Sequence, residues 1–104
     1  MADLDFLQEC VQKRDIIWRI HALERLVLRK ISREEIIEVL LTGEVIEEYP
    51  QDKPYPSLLL LGKTKLNRIL HIVCAMDKDN HKLFIISLYE PDSEQWSSDF
   101  RKRK

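Results

Sequence analysis

The stretch His21-Ala22-Leu23-Glu24-Arg25, with Arg29 one turn further on, combines residue types and spacing that can do chemistry. On a helix, steps of four residues advance only about 40° around the axis, so His21, Arg25 and Arg29 form a slowly drifting polar stripe. Leu23, Leu26 and Val27 fall on the other side, as an apolar face for a core. One imidazole beside two guanidiniums suits the handling of a phosphate. The same residues also read as a solvated helix face on which Glu24 pairs locally with Arg25 and Arg29.

Further polar groups lie in the second half of the chain. In Ile69-Leu70-His71-Ile72-Val73, alternation puts His71 on one face with Ile69 and Val73. A five-residue loop before the next strand places His71 opposite Ser87, with Tyr89 two residues on along that face. A two-residue turn at Asp79-Asn80 places it opposite Leu88, and both registers stay open. A lone strand histidine also reads as a satisfied structural one. Tyr49, Tyr55 and Tyr89 each either pack a ring at the core's rim or orient a phosphate or stack a base. Packing suits Tyr49, whereas Tyr55, held between Pro54 and Pro56, is the recognition candidate.

Several other chemistries lack their signatures. His21, His71 and His81 do not fall at metal-ligand spacing with carboxylates, so no metal or other cofactor is expected. Cys74 lies in an apolar strand where a thiol is inert packing. With Gly43 and Gly62 as the only glycines, neither a P-loop nor a dinucleotide turn can be built.

The elements that must position these groups follow from periodicity. Asp3 can cap a first helix with apolar positions Leu4, Leu7, Cys10 and Val11, ending near Arg14. Asp15 to Ile20 is β-branched and aromatic, an extended link into the His21 helix anchored by Trp18. Ser32 with Glu35 three residues on makes a capping box that opens a second long helix, with Ile36, Val39 and Leu40 buried. Gly43 stops it, through its freedom to take positive φ. The period then becomes extended: Glu44 to Tyr49 as an acidic edge strand, a proline loop, Ser57 to Lys63 as a central strand, then Leu70 to Met76 and Leu83 to Tyr89 as a hairpin. Trp96 and Phe100, four apart, tuck one helical turn onto the core's edge.

This order argues for an α+β fold in which N-terminal helices pack on a four-stranded antiparallel sheet. At 104 residues the chain fits a single domain over 1–104, with an N-terminal helix over 1–14, a core over 16–91 and a short basic tail over 92–104. A hydrophobic share of 44% beside 34% charged residues fits a globular protein with a busy surface. The net charge of −1 excludes a general affinity for polyanions, so any such site is local. Arg25, Lys30, Arg33, Lys63, Lys65 and Arg68 are candidates to share a face, and Arg101 to Lys104 closes the chain in basic residues. Cys10 and Cys74 are isolated, no secretory leader pattern opens the chain, and no apolar run approaches the ~18 residues of a membrane span. The expected location is cytoplasmic, with no membrane partner.

Taken together, His21-Ala22-x-Glu24-Arg25-x-x-x-Arg29, Gly43-Glu44-Val45-Ile46-Glu47-x-Tyr49-Pro50, Pro54-Tyr55-Pro56-Ser57, Leu59-Leu60-Leu61-Gly62, Leu70-His71-Ile72-Val73, Tyr89-Glu90-Pro91 and Trp96 make a resemblance. The chain resembles the prokaryotic domain-of-unknown-function family 4258 over roughly residues 16 to 103. It departs in Leu26, where methionine is expected, and in Ser87, where threonine is common. The resemblance implies similarity to toxins of type II toxin–antitoxin systems and to the barnase, colicin and RelE-type ribonuclease fold. It also implies a neighbouring antitoxin protein with a zinc-finger or helix-turn-helix domain as partner.

On that resemblance, the expected activity is metal-independent endoribonuclease cleavage of RNA by attack of the ribose 2′-hydroxyl. His21 and His71 supply acid and base, Arg25 and Arg29 hold phosphate oxygens, and Tyr89 and Tyr55 position ribose or base. Catalysis is thereby assigned to His21, Arg25, His71 and Tyr89, and substrate binding to Arg29, Tyr49, Tyr55, Ser57 and Ser87. A non-catalytic protein- or RNA-binding module using the Tyr55 loop and basic tail is the alternative, and a degenerate toxin is a third.

Overall fold

A computed structural model describes residues 2–104. Its elements are α1 (Ala2–Gln12), β1 (Ile16–Trp18), α2 (Ile20–Arg29), α3 (Arg33–Thr42), β2 (Glu44–Tyr49), β3 (Ser57–Lys63), β4 (Ile69–Asp77) and β5 (Lys82–Tyr89). The capping box forms at α3. The Ser32 hydroxyl accepts from the Glu35 N–H at 3.1 Å, and the Glu35 carboxylate accepts from the Ser32 N–H at 3.3 Å. Such a cap is worth about 1 kcal/mol.

Helix α3 ends at Gly43, but not for the conformational reason expected. Gly43 has φ −74°, which any residue can adopt. Close approach selects glycine here, because a Cβ would stand 2.6 Å from the Val39 carbonyl oxygen and 2.8 Å from that of Leu61. The left-handed stop belongs instead to Lys30 at the end of α2, with φ 54°. At the chain's start, α1 runs to Gln12 and the left-handed Arg14 turns the chain into β1. Asp3 sits within the first turn of α1 and does not precede it.

The fold is α+β, but the sheet is five-stranded and mixed, in the order β1-β5-β4-β3-β2. The expected four antiparallel strands are present as β2 to β5. The stretch read as a link is the fifth strand, Ile16 to Trp18, which pairs in parallel with Leu83 to Ile85. Its β-branched residues signal extension, but the partner is chosen by tertiary packing. The acidic β2 is the opposite edge.

Leu58, Leu60, Leu70, Ile72, Cys74, Met76, Leu83, Ile85 and Leu88 cover one face of the sheet and pack with Leu7, Val11, Ala22, Leu26, Ile36 and Leu40 of the helices. Gly62 lets α3 close on β3, since a Cβ there would meet Val39 Cγ1 at 2.5 Å. Of the apolar positions expected on the buried side of α2, Leu26 is buried and Leu23 half-buried, whereas Val27 is 79% exposed. The short helix meets the core along Ala22 and Leu26, one turn apart, too narrow a line to reach Val27.

Candidate functional site

The helix-free face of the sheet carries most of the polar candidates. Cross-strand pairs share a face, and the pairs Tyr49 with Ser57, Ser57 with Ala75, Val73 with Ser87, and His71 with Tyr89 place those side chains together. Neither expected register for His71 occurs. The hairpin closes at Asp77 and Lys82, which alone would set His71 opposite Leu88. A bulge leaves Ile86 unpaired, shifts the ladder by one residue and brings Tyr89 opposite His71.

His71 is fully buried and has a partner on each ring nitrogen. Nε2 lies 2.9 Å from the Phe100 carbonyl oxygen and Nδ1 lies 3.1 Å from the Tyr89 hydroxyl. A carbonyl only accepts, so Nε2 carries the proton and Nδ1 accepts from Tyr89. Burial holds the His71 pKa below the usual imidazole value, against the Phe100 bond, so the ring is neutral at pH 7. Burial also pushes the Tyr89 hydroxyl up.

The C-terminal residues form the lid over this pair. Trp96, 3% exposed, stands edge-on to His71 with ring centres 4.4 Å apart. Trp96 bridges to Arg103, and the Ser97 N–H donates to the Lys102 carbonyl at 2.7 Å. Residues 92–104 therefore fold back on the sheet, with one turn closed by the Trp96 N–H to the Asp92 carbonyl in place of a helical turn spanning Trp96 and Phe100. Arg103 Nε lies 3.3 Å from Glu47, and Arg101 pairs with Glu44. Tyr49 also donates to Glu47, which holds that carboxyl below its usual range.

Further along the same face, a cavity of about 140 Å³ opens beneath the proline loop. Val73, Ala75 and Phe84 form its floor, and Asp52, Tyr55 and Ser57 part of its rim. Tyr55 stacks on Phe84 with ring centres 5.3 Å apart and 9° between planes. It is half-buried, and the neighbouring Asp77 carboxylate pushes its hydroxyl pKa up. Ser57 donates its hydroxyl to Asp52. Arg19 and Ile86 close the far end, with the Arg19 guanidinium 4.7 Å from the centre of the Phe84 ring.

The His21 stripe lies beyond that end. Arg19 follows β1, its N–H donates to the Ile85 carbonyl at 3.0 Å, and α2 then starts beside the bulge. A second depression is lined by Ile17, Trp18, Arg19, Ile20, His21 and Ile86, so Arg19 and Ile86 border both. His21 is 82% exposed at its side chain, and its Nδ1 lies 3.5 Å from Glu24. Arg25 and Arg29 are exposed, and Arg29 faces Glu90 at 3.9 Å.

The sequence-based set thus divides. His71, Tyr89, Tyr49, Ser57 and Ser87 share the sheet face with Tyr55 at its edge, whereas His21, Arg25 and Arg29 stay on α2. Arg19, Asp52 and Phe84 were missed. A signal for Arg19 existed in its place at the N-cap of α2, where serine, threonine or aspartate is usual and where its side chain makes no cap bond. Elsewhere, His81 sits with Nδ1 3.0 Å from Asp15 and 3.9 Å from the Cys10 sulfur. Burial and the nearby carboxylates push the Cys10 thiol up, and burial alone pushes Cys74 up to about 12, so neither is an activated nucleophile.

A family model described as Domain of unknown function (DUF4258) matches residues 18–90. No curated protein matches the chain, and no solved structure does.

Proposed function

The chain belongs to the DUF4258 family, and on that premise we propose that it is a toxin-like, metal-independent endoribonuclease of the barnase, colicin and RelE fold group. The observation that carries this reading is the shared border of the two depressions. Through Arg19 and Ile86, an exposed imidazole joins a groove with an aromatic wall and a cation. A single RNA strand fits such a surface, its bases on aromatic rings and its phosphates along guanidiniums.

In this reading His21 takes the proton from the ribose 2′-hydroxyl. The freed oxygen bonds to the adjacent phosphorus, and the bond from phosphorus to the 5′-oxygen breaks. The products are a 2′,3′-cyclic phosphate and a 5′-hydroxyl, the leaving oxygen taking its proton from solvent in the open groove. Arg19 and Arg25 stabilise the anionic transition state, and Arg29 extends the phosphate track. His71, sealed under Trp96, and its half-buried partner Tyr89 are positioning residues that hold the β4/β5 platform. The working location is the cytoplasm, and the regulator is an antitoxin with a zinc-finger or helix-turn-helix domain.

Incubation of purified protein with total RNA in excess EDTA, beside His21→Ala and Arg25→Ala, tests the reading. Cleavage by wild type alone with cyclic phosphate ends supports it, and equal cleavage by all three overturns it. The non-catalytic binding module is favoured by one observation, the exposure of Ile20, Val27 and Leu28 on α2 at 68%, 79% and 75%. It predicts no cleavage by any of the three.

A further inference from the structure

We propose that the outward side of α2 is a self-association surface, on which a second copy of this chain lays its own α2 antiparallel, with Glu24 of each copy beside Arg25 of the other. Successive helical residues advance about 100° around the axis, so Leu26, Leu23, Val27, Ile20 and Leu28 follow one another around α2 as an apolar arc of roughly 200°. The core covers only the first part of it. Leu26 is buried and Leu23 half-buried, whereas Val27, Ile20 and Leu28 are exposed. Beside Ile20 the apolar area continues onto Ile17 of the β1 edge and Ile86, which line one depression with Ile20 and His21. A single exposed aliphatic residue is ordinary, but a contiguous patch of them marks an interaction surface.

The charges on the patch choose its occupant. Glu24 falls between Ile20 and Leu28 around the helix, in the middle of the uncovered arc. A lipid surface would bury that carboxylate without a partner, at a large cost. A second copy brings the cation. The first half of α2 holds His21 and Glu24, the second Arg25 and Arg29. When two such helices run antiparallel about a two-fold axis, Glu24 of each meets Arg25 of the other, and Ile20 of each lies against Val27 and Leu28. A parallel pair would instead set Arg25 on Arg25 and Arg29 on Arg29. Both groups are available, because among the described residues Glu24 has only its exposed contact with His21 at 3.5 Å and Arg25 forms no ion pair. Ten residues make a helix about 15 Å long, so the interface is small and the association belongs in the micromolar range. In the pair, Leu28 of one copy stands opposite His21 of the other and closes over its depression. Dimer and RNA then compete for one surface, and the dimer is the latent form. That consequence rests on the reading of His21 as the catalytic base, whereas the pairing itself does not.

Sedimentation equilibrium of the full chain from about 1 to 300 μM, with circular dichroism on every variant, tests the pairing. Wild type should pass from monomer to dimer in that range. Glu24→Arg and Arg25→Glu each turn both cross-pairs into like charges, and each should weaken association at least about 10-fold. An equimolar mixture of the two variants should associate again, because every reversed charge then faces its opposite. Val27→Ser, at an exposed position where substitution leaves folding nearly unchanged, should also weaken association. It should keep its RNA cleavage rate per molecule at concentrations where that of wild type falls. Wild type that stays monomeric, whether or not it binds phosphatidylserine vesicles, overturns the proposal. So does association that neither charge variant weakens, or a mixture no tighter than its components. Dimerisation with this pattern of rescue, but without cleavage at any concentration, upholds the pairing and overturns the ribonuclease reading. His21-dependent cleavage by a protein that never dimerises overturns the pairing and leaves the ribonuclease.

Discussion

His21 and His71 share a residue type and almost nothing else. The first stands on α2, 82% exposed, beside a single exposed carboxylate. The second is fully buried on the sheet, held by Tyr89, the Phe100 carbonyl and the edge of Trp96. A ring with both nitrogens committed and its charged form suppressed contributes order, because exchanging a proton with a substrate would first require breaking its bonds. A ring in solvent contributes little stability and is open to a substrate. On the proposed reading the two regions divide reactivity from rigidity, and substitutions should separate them.

The largest effect is expected at His21. His21→Ala should lower RNA cleavage by about 10² to 10⁴, the usual worth of general acid–base catalysis. The urea midpoint should stay within the ~0.5 kcal/mol typical of exposed positions. A variant that loses activity and stability together would erase the division.

Much of this arrangement was legible in the sequence, and the failures have physical causes. The α3 cap and the bounds of β2 and β3 depend on local signals: Ser32 with Glu35, the change of period at Gly43, and the prolines before Ser57. The register at His71 depends on the unpaired Ile86, whose neighbours carry nothing like the glycine that marks some bulges. That bulge decides whether Tyr89 or Leu88 faces the histidine, so one unmarked residue controls the whole cluster. The Trp96 contact is also non-local. That Trp96 packs onto the core was legible, but its partner His71 and the non-helical path of the tail were not, because only the folded sheet presents the slot that Trp96 fills. The α2 stripe was legible because helical spacing is local, while its junction with the sheet-face groove runs through Arg19, which follows a strand too short to announce itself.

At the sealed site, Trp96→Ala should cost about 3–5 kcal/mol in urea unfolding, the range for emptying a large buried aromatic position. His71→Gln should cost less, about 1–3 kcal/mol, by disturbing the bonds to Phe100 and Tyr89. It should also change the pH dependence. The folded-state pKa of His71 lies below its unfolded value, so between the two the unfolded chain binds more protons and wild-type stability falls as pH drops through about 6.5. The carboxyls of Asp15, Glu47, Asp77 and Glu90 are all lowered, so their contributions are lost at more acidic pH, below about 4.5. Urea midpoints at pH 7.5 and 5.5 should therefore differ in wild type and converge in His71→Gln.

The smallest effect sharpens the account of the lid. Arg103 touches Glu47 at 3.3 Å and lies over Trp96 with its guanidinium 4.6 Å from the ring centre. Its side chain is 61% exposed, so the ion pair is screened and contributes little. An exposed cation–π contact contributes about 0.5–1 kcal/mol. Arg103→Ala should therefore cost roughly 1 kcal/mol, several-fold less than Trp96→Ala. The tail would then be held by burial of one indole, with the basic residues as trim. Urea midpoints of both variants at low salt and in 1 M NaCl provide the check. A cost for Arg103→Ala that approaches that of Trp96→Ala and collapses in salt would make the lid an electrostatic latch, one that a polyanion in the neighbouring groove could compete open.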